Sequence, residues 1–210
     1  MDNVLYIVAG TTNALFCFVF FCIAFYRYSR DRLPVSLGFA VAGFLAFSLV
    51  FLQVVGAVLG AEDELISFAV ILLTVDIGFT LLISSLMLSE EKKKERRFGW
   101  AWFVFALSPV WAVIASIYVK NETAKYLPSM LILASCDLSA CFIILRNYRP
   151  APGKRAFKGK LIFCTALLLS GVFILGFPFF QGSNKALIIC QAAEAALQCS
   201  LCVGMVMMFF

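Results

Sequence analysis

Three carboxylates sit deep inside long apolar runs of this chain: Asp76, Asp137 and Glu194. A carboxyl group surrounded by hydrocarbon has few uses. It can trade a proton, hold a cation, accept hydrogen bonds from a ligand amine or hydroxyl, or lock one helix to its neighbour. Leaving one ionised and unpaired at mid-membrane costs at least ~3 kcal/mol, so all three are expected to stay uncharged until a cation arrives. The residues around Glu194 are regularly spaced. Gln191, Glu194, Gln198 and Cys202 follow one another at intervals of three, four and four residues, which places them on one face of a helix. Together with Gln53, these acids and amides are expected to line a polar spot inside a helix bundle. A purely structural reading competes with it: each acid bonds to an adjacent helix and stabilises packing by about 1 kcal/mol. Asp137 leans towards that reading, because it lies in the small-residue stretch ASCDLSAC, where helices approach closely. Glu194 has the stronger functional case, since it shares its face with two glutamines.

Other chemistries are set aside by composition. There is no histidine, which removes the commonest metal ligand and the commonest general base. No metal site and no Ser/His/Asp catalysis is therefore expected. The last apolar run has only Lys185 at its start, so no mid-helix lysine is available for a retinal Schiff base. Neither LTVDIGF nor ASCDLSA matches the paired YD and GxGD patterns of aspartyl intramembrane proteases. With no glycine-rich phosphate loop either, no enzyme and no cofactor is expected within these residues. All eight cysteines lie in apolar runs and read as small packing groups rather than a disulfide framework.

The elements that must position these groups are membrane helices. Hydrophobic residues make up 63% of the 210 and charged residues only 14%, against about 25% charged in soluble domains. Seven apolar runs cover residues 4–26, 36–59, 65–88, 98–119, 127–145, 161–180 and 186–210, each long enough to span a bilayer. The expected fold is an all-α integral membrane protein, a single bundle of seven transmembrane helices over 1–210. No cleavable signal is expected before it. Links after the first, third and fifth runs hold 14 of the 17 Lys and Arg residues, which puts those links, and the C-terminus, in the cytoplasm and the N-terminus outside. The basic run Lys92–Arg97 reads as a solvated loop at the lipid surface, and no nucleic acid is expected as a partner. On this topology Asp76, Asp137 and Glu194 lie at depths of ~17, ~15 and ~12 Å, close to one level. Pro109 is expected to kink the fourth span and Pro178 to bend or end the sixth. Most of the 23 phenylalanines are expected to face lipid or fill space between helices, with an apolar pocket walled by some of them as the other use.

A seven-span domain with short links, the connection FYRYSRDRLPVSLGF and a final helix ending LQCSLCVGMVMMFF resembles the N-terminal sensor region of bacterial signalling proteins, such as membrane histidine kinases and diguanylate cyclases. The resemblance extends over the whole chain as architecture and carries no catalytic residue with it. It implies a bacterial inner-membrane domain that binds a small or lipid-like ligand and signals through its last helix to a cytoplasmic output module in cis. It also implies a homodimer, in contact with membrane lipid. The chain departs from the histidine-bearing type of such sensors. A proton- or cation-conducting bundle using the three acids as a relay is the competing expectation, and a structural membrane partner a third.

Overall fold

The computed structural model of the chain describes residues 2–59, 64–89, 110, 114, 122–150, 153–176 and 184–210. Among them are six long helices: α1 (Asp2–Asp31), α2 (Pro34–Leu59), α3 (Glu64–Ser89), α4 (Glu122–Asn147), α5 (Lys154–Gly176) and α6 (Asn184–Phe209). All six are long and apolar enough to cross a membrane, and the described residues are those of an all-helical, multi-pass membrane protein. Hydrocarbon offers no partner for a peptide group, so an apolar run of this length satisfies its backbone internally as a helix. The expected fourth span, 98–119, lies outside the described residues except for Val110 and Ile114. Pro109, Pro178 and the run Lys92–Arg97 lie outside them as well.

Each helix packs on the next in chain order, and α6 returns to pack on α1, closing a ring of six. The relative directions follow from the contacts. Gly10 faces Val54 while Gly43 faces Phe21, so α1 and α2 are antiparallel. Ile71 packs against Tyr126 and Gly78 meets Leu133 and Cys136, so α3 and α4 run parallel. Asn13 bonds to Gln191 and the Arg27 guanidinium covers the Phe209 ring, so α1 and α6 also run parallel. The start of α1 and the end of α6 therefore lie at opposite ends of the ring.

Two kinds of contact hold the ring. Aromatic residues fill one part of the core: Phe20, Phe39 and Phe163, all buried, bring α1, α2 and α5 together with ring centroids 5.8–6.5 Å apart. Elsewhere glycine lets backbones touch. A Cβ on Gly204 would meet the Phe163 backbone nitrogen at 2.7 Å, and one on Gly159 would meet the Met208 nitrogen at 2.7 Å, so α5 and α6 cross at near-backbone contact.

The helices extend further than the apolar runs, because they continue into the polar zone. At ~1.5 Å per residue, 23 to 30 residues exceed the ~30 Å of hydrocarbon. Arg27 and Arg30 thus belong to α1 rather than to a link, and Arg32, at φ 53°, closes that helix by donating its N–H to the Tyr28 carbonyl. Lys160, expected in a link, is buried in α5. Its Nζ donates to the carbonyls of Leu145 (2.8 Å) and Tyr148 (2.7 Å), which satisfies acceptors left open at the end of α4.

Candidate functional site

The bundle contains a central cavity of about 100 Å³, and all six described helices contribute to its wall. Most of that wall is aliphatic. Its polar residues are Asn13 from α1, Asp137 from α4, Ser170 from α5, and Glu194 and Gln198 from α6, with Cys17 beside Asn13. Among the described residues no Lys or Arg lines it. Two of the three acids singled out from the sequence, on helices that do not pack on each other in the ring, thus face one space.

The α6 face with the 3-4-4 spacing is turned inward: Gln191 and Cys202 are buried, and Glu194 and Gln198 line the cavity. Asn13 is 1% exposed, and its side-chain NH₂ donates to Gln191 Oε1 at 3.1 Å and to Glu194 Oε2 at 3.0 Å. Gln191 in turn donates from Nε2 to Gln53 Oε1 at 3.4 Å. One chain of amides and a carboxyl therefore ties α1, α2 and α6 together at mid-bundle. Further along the same face, Cys202 Sγ lies 3.5 Å from the Phe16 carbonyl.

Asp137 lies on the other side of the cavity and is 2% exposed. The Ser170 hydroxyl donates to its Oδ2 at 2.9 Å, joining α4 to α5. Its Oδ1 is buried with no hydrogen-bond partner among the described residues. A neighbouring glycine makes this pairing possible: Gly171 approaches the Ala134 carbonyl closely enough that a Cβ would sit 3.2 Å from it.

The other predicted residues divide. Gln53 and Gln191 are outside the wall and are linked to Glu194 through Asn13, and Gln198 is in the wall itself. Asp76 is half-buried on α3 and is not part of the wall. Its helix presents Ile77 and Leu81 to the cavity, and residue 76 is turned by ~100° from residue 77 on an α-helix. Equal depth alone does not bring the third acid to the other two. Among the described residues no phenylalanine lines this cavity.

Asn13 was not anticipated. It lies nine residues into the first apolar run, at ~14 Å depth on the expected topology, level with Glu194. A polar side chain at the same depth as buried acids is the signal that could have found it. Among the described residues no group of three or more His, Cys, Asp or Glu is arranged to hold a metal ion. The eight cysteines are all free thiols.

At the far end of α6 a different cluster grips the helix. The Arg27 guanidinium carbon stands 3.3 Å from the centre of the Phe209 ring and its Nε 3.5 Å from Asp31 Oδ2. Tyr148 lies edge-near to Phe209 at 6.1 Å, and Tyr26 stacks with Phe210 at 5.8 Å. The helix that carries Glu194 is thus held by α1 and by the chain leaving α4. Comparisons with protein-family models, curated proteins and solved structures return no match to this chain, so the geometry carries the functional reading.

Proposed function

We propose that this chain is the membrane-embedded sensing domain of a signalling protein. A small ligand enters the central cavity, and α6 passes its occupancy to the end of the bundle. The observation that carries this reading is the cavity itself, walled by all six described helices and holding Glu194 on the helix whose far end is gripped by Arg27 and Tyr148. From Glu194 to Phe209 the helix runs ~22 Å. A ligand biases such a bundle only by binding one arrangement more tightly than another. A cavity contacted by every neighbouring helix is the place where that difference is largest.

The topology in this reading is seven spans, with the N-terminus outside and the C-terminus in the cytoplasm of a bacterial inner membrane. The parallel packing of α3 and α4 supports it, because the chain between two parallel neighbours has to return across the membrane. Charge supports the orientation. Arg27, Arg30, Arg32, Arg146, Arg149 and the basic residues opening α5 gather at one end of the ring, and Lys125 and Lys185 stand at the other. The output module would follow α6 in cis, and two copies would act as a homodimer.

Conduction is the second reading. That Asp137 and Glu194 share one cavity is what a relay requires, while the position of Asp76 away from that cavity leaves the relay without a third station. Reconstitution in liposomes separates the two. Sensing predicts no proton or monovalent-cation flux, together with a ligand-dependent change in distance between spin labels at the ends of α1 and α6. Flux abolished by Glu194→Gln would establish conduction instead.

A further inference from the structure

We infer that the ligand of the central cavity is a small primary ammonium ion, held between Asp137 and Glu194; this rests on reading the cavity as a ligand site. The donors and acceptors around the cavity point to it. Both N–H groups of the Asn13 amide are committed, one to Gln191 and one to Glu194. The Ser170 hydroxyl is committed to Asp137 Oδ2. Among the described residues, Asp137 Oδ1 has no donor and no basic side chain lines the space. A buried acceptor without a donor is unfavourable, so the wall calls for a molecule that donates.

An ammonium group has three donors and no acceptor, and its charge offsets that of a carboxylate in a medium that penalises either alone. A hydroxyl or amide could accept from the Gln198 amide in the wall, but it carries no charge to set against two carboxyl groups. Size narrows the class further. A volume of about 100 Å³ is smaller than the ~150 Å³ cavity that admits a benzene ring, and suits a ligand of about four heavy atoms. The aliphatic remainder of the wall, including Leu133, Ile174 and Leu197, suits a short alkyl tail. Ethylammonium has this size and polarity.

The test is calorimetric titration of the full chain in nanodiscs with ethylammonium, ethanol and acetamide at constant chloride. Saturable binding of ethylammonium, weakened at least tenfold by Asp137→Asn and by Glu194→Gln, is expected. Leu197→Phe, which fills part of the cavity and leaves both carboxyls in place, is expected to weaken binding at least tenfold as well and serves if the acid variants fail to fold. Binding of ethanol or acetamide without ethylammonium would overturn the ammonium inference and leave the cavity a ligand site. Binding of none of the three would overturn both. Ethylammonium affinity unchanged in both acid variants would place it elsewhere and overturn the inference.

Discussion

The side-chain amide of Asn13 donates to the carboxyl of Glu194 across 3.0 Å, joining the first and last described helices at mid-membrane depth. The same amide also donates to Gln191, so one residue fixes both the rotamer of the acid and the closure of the ring between α1 and α6. Replacing it by leucine leaves two acceptors in hydrocarbon without their donor. Asn13→Leu is expected to destabilise the bundle by ~1–3 kcal/mol in denaturant unfolding in mixed micelles. Gln53→Leu, at the end of the chain and with a 3.4 Å bond, is expected to cost less than half of that. An Asn13→Leu protein as stable as the wild type would mean that Glu194 is held by something other than this amide.

Close backbone contact between α5 and α6 is sensitive to a single methyl group. In Gly204→Ala the new Cβ meets the Phe163 backbone, which cannot swing away as a side-chain tip could. Thermal unfolding is expected to show a loss of ~1–3 kcal/mol. Gly153→Ala is the control, since nothing lies within 4 Å of its added Cβ, and its unfolding temperature is expected not to fall.

Lys160 caps a helix other than its own. Lys160→Met removes the donor from the Leu145 and Tyr148 carbonyls, and is expected to cost ~1–3 kcal/mol and to speed amide exchange over the last turn of α4. Lys158→Met, two residues earlier at an exposed position, is expected to leave both measurements unchanged.

The grip on the end of α6 is a stacking of charge on a ring. Arg27→Met keeps most of the apolar length of the side chain and removes the cation. The expected result is a loss of ~1–2 kcal/mol and a broader distance distribution for a spin label near Phe209. An unchanged distribution would show that Tyr148 and Tyr26 hold the end alone.

How much of this was legible beforehand depended on the kind of information required. Helix existence follows from run length, so the residues of α2 and α3 match their apolar runs to within a few positions. Lys160 and Arg27 were misplaced into links because hydropathy marks where hydrocarbon ends, not where hydrogen bonding stops. The inward face of α6 was legible because Gln191, Glu194 and Gln198 repeat at helical spacing on a single element. Which helix would face that side was not, since pairing between helices is set by shape and by contacts such as Gly204 on Phe163. Asp76 illustrates the same limit. Its depth matched that of Asp137 and Glu194, but depth is one coordinate, and the rotation of α3 turned Ile77 to the cavity instead.

The central claim is that α6 reads the state of a cavity it shares with Asp137. Hydrogen–deuterium exchange along α6 in nanodiscs, with and without ethylammonium, tests it most directly. The account predicts slower exchange around Glu194 and a changed rate at the turn before Phe209 in the wild type, both lost in Glu194→Gln. Exchange along α6 that is the same with and without the ligand, while another helix alone becomes protected, would contradict it.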